Sequence, residues 1–197
     1  MKNPDASCII GIVGLPGAGK TTIAAHIVQR KFAHIILSDF IREEIIQSGH
    51  TDFRRITYQT VGNRMREEKG GAILAVLAVR KIKKEYIRHA VIDGIRNIGE
   101  IAYLRKQKGF HLLGVTAGAK VRFERLSRRI AKEKQIRRSY KEFIEEEKRE
   151  DALGSEKIGL RVRESLKEAD VIVKNNRNRK ALFQTIDALL KKWKTMS

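Results

Sequence analysis

Short apolar runs alternate along this chain with longer amphipathic stretches. Residues 7–13 form an apolar, β-branched run of strand length. Behind them Ile23, Ala24, Ile27 and Val28 recur at helical spacing. Residues 34–38 read as a second strand ending at Asp39, and residues 40–47 as the helix that follows, closed by Ser48 and Gly49. A helix capped by Thr51 or Asp52 runs to Lys69, Gly70 and Gly71 break it, and residues 72–86 form the next. Residues 90–92 are a third strand ending at Asp93 and Gly94. Ile98, Ile101, Ala102 and Leu104 suggest a helix ending near Gly109, which leads to a fourth strand at residues 110–115. Two densely charged helices follow, at residues 121–134 and 140–153. Residues 170–173 make a fifth strand, and Leu182, Thr185, Ile186, Leu189, Leu190 and Trp193 lay an apolar stripe along the last helix.

Short apolar strands alternating with helices predict a parallel sheet covered by helices on both faces, an α/β fold of five strands. No repeat or low-complexity linker divides residues 1–197, so the pattern predicts one domain. Two helical, basic insertions stand out, at about 40–86 and about 125–155. Both follow strand ends on the side where ligands bind in such sheets.

One stretch changes the picture from architecture to chemistry. Gly14-Leu15-Pro16-Gly17-Ala18-Gly19-Lys20-Thr21 fits the phosphate-binding loop pattern G-x-x-x-x-G-K-[ST] at every fixed position, between a strand and a helix as that chemistry requires. The fold class is therefore the P-loop NTPase fold. Gly14, Gly17, Ala18 and Gly19 let backbone N–H groups approach phosphate oxygens, and the helix start at Lys20, Thr21 and Thr22 adds partial positive charge. Lys20 would reach the β- and γ-phosphates of ATP, and the Thr21 hydroxyl would ligate Mg²⁺. Asp93, at the end of an apolar strand, has the position of the acidic partner that holds the ion.

Composition narrows the setting. Apolar residues are 42% and charged residues 33%, an ordinary balance for a globular domain. The one cysteine, Cys8, cannot make an internal disulfide and reads as a small buried hydrophobe. No signal-peptide core or membrane-length apolar run is present, which predicts a cytoplasmic protein without a membrane partner. The net charge of +19 favours polyanionic partners, nucleotides or nucleic acid. Aromatic residues are only 6% of the chain and do not interleave with the basic ones, which disfavours a dedicated nucleic-acid module. The five histidines have no metal-ligand spacing, and Glu145 to Glu147 read as part of a charged surface helix.

A second cluster is Ser38-Asp39-Phe40-Ile41-Arg42. Arg42 lies one helical turn beyond Asp39, where its planar fork suits an acceptor phosphate. The phosphate loop, then Asp39-x-x-Arg42, then Asp93-Gly94-Ile95-Arg96, then Arg125-x-x-x-Arg129, resembles the nucleoside monophosphate kinase group in order and approximate spacing. The chain is similar above all to adenylate-kinase-related P-loop proteins with an Asp-Gly-Ile-Arg motif, and also to dephospho-CoA kinases. Arg96 follows Asp93 by three residues rather than the four of adenylate kinase, without the intervening proline.

The resemblance implies an ATP- and Mg²⁺-dependent phosphotransferase acting on a nucleotide-like small molecule. It implies that Asp39, Arg42 and Arg96 bind the acceptor. It also implies a lid over the phosphates whose arginines, among Arg125, Arg128, Arg129, Arg137 and Arg138, stabilise the charge of the transferred group. Arg125 and Arg129 share one helical face. Lys20, Asp39, Arg125 and Arg129 are thus the expected catalytic residues, with Thr21 and Asp93 on the metal. A nucleoside monophosphate is the first candidate acceptor and dephospho-CoA the second. A nucleotide-dependent ATPase acting on nucleic acid is the rival from another class.

Overall fold

Strand β1 (Cys8–Val13) lies at the centre of a five-stranded sheet, wholly buried along its length. In the computed structural model, which describes residues 7–132, 139–153, 162–176 and 178–196, the other strands are β2 (Ala33–Ile36), β3 (His89–Asp93), β4 (Phe110–Thr116) and β5 (Val171–Lys174). Their order is β2-β3-β1-β4-β5 and every pairing is parallel. Cys8 pairs with His89, Ile9 with Phe110 and Ile36 with Asp93, so the strands start together at one end and finish together at the other.

The helices among the described residues are α1 (Lys20–Val28), α2 (Leu37–Gln47), α3 (Arg55–Lys69), α4 (Ile73–Lys84), α5 (Ile98–Leu104), α6 (Ala119–Lys132), α7 (Tyr140–Leu153), α8 (Val162–Lys167) and α9 (Arg179–Met196). Alternation along the strands decides which helices cover which face. Ile9 and Val13 of β1 and Ala90 and Ile92 of β3 point into a core shared with α2, α3, α4 and α5. Cys8, Ile10 and Ile12, with Val91, point the other way, against α1 and α9. Each wholly buried isoleucine contributes roughly 1.5–3 kcal/mol relative to an exposed one. No helix among the described residues is long and apolar enough to cross a membrane.

The structure departs from the expectation in several places, among them the end of α5 at Leu104 rather than near Gly109. The second strand ends at Ile36, and Leu37 begins a helix, which places Asp39 in the first turn of α2 rather than at a strand end. Ile35, Ile36 and Leu37 form one apolar run, and Leu37 is fully buried in its helical position, so hydrophobicity does not mark the junction. Helix α3 begins at Arg55, with Asp52 outside it. The Asp52 carboxylate accepts the Arg54 N–H (3.0 Å) and the Thr57 hydroxyl (2.6 Å) in a local turn of its own. The six-residue α8 has no counterpart in the sequence pattern. Arg137 and Arg138 lie outside the described residues.

Candidate functional site

The turn from β1 into α1 is shaped by what surrounds it. A Cβ at Gly14 would sit on the Val115 carbonyl oxygen of β4. Gly19, at φ 102°, occupies the left-handed region that other residues rarely adopt, immediately before the first residue of α1. A Cβ at Gly17 would press on the Arg122 carbonyl oxygen, 2.7 Å away, so α6 packs directly on the loop. Ala18 is fully buried.

Lys20 turns back into this loop. Its Nζ donates to the carbonyls of Gly14 (2.6 Å) and Leu15 (3.2 Å). Burial holds its pKa down at about 8; nearby Asp93 raises it and nearby Arg96 lowers it. Lys20, Asp93 and Arg96 therefore share one electrostatic neighbourhood, at the finishing ends of the adjacent strands β1 and β3. Asp93 accepts the N–H of Gly94 (2.7 Å). Thr21 is exposed in the first turn of α1.

The lowered Lys20 pKa has a consequence for stability. The folded protein releases this proton near pH 8, whereas an unfolded lysine keeps it to about 10.5. Between those values the unfolded state binds more protons, so stability rises with pH across that window, by about 2–3 kcal/mol. Urea unfolding at several pH values, compared with a Lys20→Met variant, is expected to show a difference that shrinks as pH climbs from 8 to 10.5. Parallel curves would refute the buried charge.

The second cluster adjoins the first. A Cβ on Gly94 would lie within 4 Å of Leu37 and the Ser38 N–H, so the β3–α5 turn rests on the start of α2. Asp39 is exposed in that first turn. Arg42, one turn on, is exposed with its guanidinium 5.3 Å above the Phe53 ring, at the edge of the α2–α3 connection. The Arg96 side chain is exposed, and its backbone N–H donates to Glu100 at 3.0 Å.

Of the α6 arginines, Arg125 reaches the loop. It donates to the Asn175 carbonyl (2.9 Å) and, at 3.4 Å, to the carbonyls of Gly17 and Ala18. Arg128 is exposed and faces Glu124 at 3.8 Å, and Arg129 is exposed beside it.

Three residues at the site have no motif to announce them. Asn175, buried just after β5, donates from Nδ2 to the Ala18 carbonyl at 2.8 Å and packs against Gly19. Its only trace in the sequence is a polar pair, Asn175-Asn176, directly after an apolar strand. Arg122 is buried, donates from Nε to the Ala117 carbonyl (3.0 Å), pairs with Glu147 of α7 and stacks its guanidinium 5.5 Å from the Phe143 ring. It pins the α6–α7 pair, whose aromatic contacts are Phe123, Tyr140 and Phe143. Arg179 opens α9 and lines, with Gly19, Thr22, Arg125, Asn175 and Leu182, a cleft of about 110 Å³ beside the loop.

A glycine loop at the finishing end of the central strand, a half-buried lysine within it and a neighbouring strand-end aspartate define a P-loop protein. The structure superposes on TT1252 of Thermus thermophilus with a TM-score of 0.61 at 19% identity, over 94% of this chain and 97% of that one. It superposes on the shikimate kinase of Acinetobacter baumannii, solved with shikimate, with a TM-score of 0.53 at 15% identity over 95% of both chains. The fold is thus that of the P-loop kinases. The chain belongs to the family described as AAA domain, whose model matches residues 10–153. It is 32% identical over 147 residues to a UPF0200 protein of Methanothermobacter thermautotrophicus, 74% of this chain and 73% of that one. It is 31% identical over 173 residues to a UPF0200 protein of Pyrococcus horikoshii, covering 85% and 88%.

Proposed function

We infer that the protein is an ATP-dependent small-molecule kinase that moves the γ-phosphoryl group of Mg·ATP to a nucleoside monophosphate-like acceptor. The observation that carries this reading is the convergence of Lys20, Asp93 and Arg96. One cation belongs to the phosphate loop, one carboxylate suits a metal ion, and one guanidinium, from the turn that rests on the start of α2, is near enough to act on the Lys20 charge. A loop that only bound nucleotide would not need the third.

The roles follow from the chemistry of each group. The loop amides from Gly14 to Thr22 and the Lys20 ammonium bind the triphosphate and neutralise charge that grows on the transferred group. Thr21 and Asp93 offer hydroxyl and carboxylate oxygens, the hard donors that suit Mg²⁺. A Mg²⁺ ion held by these two side chains would supply positive charge against the triphosphate. The cleft between Arg125, Asn175 and Arg179 lies beside Gly19, on the side suited to the rest of the nucleotide. Asp39, Arg42 and Arg96 bind and orient the acceptor. Arg125 and Arg129, on the helix packed against Gly17, supply guanidinium charge to the equatorial oxygens and, with the α6–α7 pair, exclude water.

A second reading, dephospho-CoA kinase, rests on the exposure of Asp39 at the start of α2, where a carboxylate can serve as general base to a hydroxyl. A phosphate acceptor is already an anionic nucleophile near neutral pH and needs orientation rather than proton removal. A ribose hydroxyl needs a base, whose loss costs about 10²–10⁴-fold in rate. The test is a screen of nucleoside monophosphates and dephospho-CoA with Mg·ATP, reading ADP release and phosphorylated product together, on the wild type and on Asp39→Asn. A raised acceptor KM with kcat largely kept is the expected outcome. A collapse of kcat at unchanged KM assigns a hydroxyl acceptor, and no product with any acceptor overturns the kinase reading.

A further inference from the structure

The end of the molecule opposite the phosphate loop collects positive charge from four separate segments. Parallel topology sends every helix that precedes a strand back to the same end, where β1, β3 and β4 begin in register. There the α1–β2 turn brings Lys31, the end of α4 brings Lys83 and Lys84, and the turns before β3 and β4 bring Arg88 and Lys108, all exposed. The end of α9 joins them. Lys194 Nζ lies 4.7 Å from the Phe32 ring, and Trp193 stacks on His111 at 4.9 Å. Within residues 28–32, 80–88, 105–109 and 191–196, Glu85 is the one carboxylate, and from outside them Asp187 pairs with Arg30 and Asp170 with Arg105.

Helix dipoles do not explain this much charge. A helix C-terminus carries about half a negative charge, felt within its last turn. Helix α4 alone places Lys81, Lys83 and Lys84 in that turn. Lys108 and Arg88 lie in the strand-entry turns, past any helix end. Adjacent strands are about 4.8 Å apart, so the pole spans about 15 Å from β2 to β4, wide enough to follow a nucleic-acid backbone.

A second, independent feature sits in the middle of this charge. Helix α4 ends in a Schellman motif: the Ile87 N–H donates to Ile82 O (3.0 Å) and the Tyr86 N–H to Lys83 O (3.3 Å). The residue at its left-handed position is ordinarily glycine. Here it is Tyr86, at φ 53°, with 90% of its surface exposed. The fold thus holds an aromatic ring in solvent, at a position unfavourable to any side chain, between Lys84 and Arg88.

We propose that this basic pole, centred on Tyr86, binds single-stranded nucleic acid, with the lysines and arginines on the phosphates and the Tyr86 ring stacked on an unpaired base. The site is separate from the phosphate loop and does not depend on the kinase reading. Stacking on an exposed tyrosine needs an unpaired base, which distinguishes a single strand from a duplex or a lipid surface.

Fluorescence anisotropy on the full chain tests this, with a labelled single-stranded RNA of about 12 nucleotides and a salt titration. Binding is expected to weaken steeply with salt, with a logarithmic slope of about 3 if about four phosphates are neutralised. Lys83→Glu/Lys84→Glu is expected to weaken binding about ten-fold or more and to lower the slope by about 1.4, the share of two phosphates. Lys120→Glu/Lys174→Glu makes the same charge change at the opposite end and is expected to leave affinity within about two-fold. Tyr86→Gly is expected to lose about five-fold or more in affinity while raising the melting temperature by about 2–4 °C, since glycine suits the left-handed position. Equal loss in both charge-reversed variants overturns the proposal. So does duplex RNA bound as tightly as the single strand, or capture on phosphatidylserine vesicles with none on RNA.

Discussion

Replacing Lys20 with methionine is expected to lower phosphoryl transfer by about 10²–10³-fold in kcat while leaving the fold at least as stable. The two effects have one cause. The Lys20 ammonium is held in a part-buried loop against two carbonyls, at a desolvation cost that pulls its pKa to about 8. Methionine keeps most of the stem and removes the charge, so that cost disappears at pH 7. In the proposed reaction the same charge faces a transferred group whose negative charge grows toward the transition state, and no other cation belongs to the loop itself. The cost in the free protein is then part of the mechanism, a trade of stability for activity. Steady-state transfer with the acceptor found in the screen, paired with urea unfolding at pH 7, checks both halves. Turnover within ten-fold of wild type would remove Lys20 from the chemistry, and a marked loss of stability would show that its bonds to Gly14 and Leu15 outweigh desolvation.

The parts of this protein that were legible in the sequence are those fixed by local chemistry. The β1–loop–α1 unit is written in consecutive residues, because a turn with left-handed Gly17 and Gly19 and a packed Gly14 admits few alternatives. The five strands were legible because each is a short apolar run bounded by polar residues, and the parallel sheet followed from the helices between them. The β2–α2 junction was not, since Leu37 is buried in a helix as it would be in a strand. Helix α8 is too short for periodicity to mark, with Ser165 rather than an apolar residue as its buried position. Asn175 and Arg122 were missed for a different reason. Each acts through partners far along the chain: Ala18 for Asn175, Glu147 for Arg122. In the sequence Arg122 is one of several basic residues on a basic helix, and nothing local separates the one that is buried from those that are exposed.

The largest stability effect is expected at another such long-range pair. Glu100 of α5 is 0% exposed and Arg66 of α3 is 7% exposed. Glu100 Oε1 accepts from Arg66 Nη2 at 3.1 Å, and Oε2 accepts the Arg96 N–H at 3.0 Å. Burial raises the Glu100 pKa, and the Arg66 charge opposes that rise. Arg66 Nε is buried with no partner, so Glu100 carries the compensation of that guanidinium. Glu100→Ala strands a buried cation and frees the turn that presents Arg96. The expected cost is about 3–5 kcal/mol, a large fraction of a typical domain's stability. The pair itself is worth much less than that number. Two charges lose hydration on burial, and replacing both by apolar groups is often neutral or stabilising. Arg66→Met/Glu100→Gln removes both charges and keeps a carbonyl oxygen for the Arg96 N–H, so it is expected to recover most of what Glu100→Ala loses. Glu100→Gln alone should fall between, with the acceptor kept and the cation uncompensated. Urea unfolding of the three variants measures the ladder. If Glu100→Ala costs less than about 1 kcal/mol, or if the double variant is no better than Glu100→Ala, then Arg66 finds water or another partner, and α3 is not anchored to the Asp93–Arg96 turn through this pair.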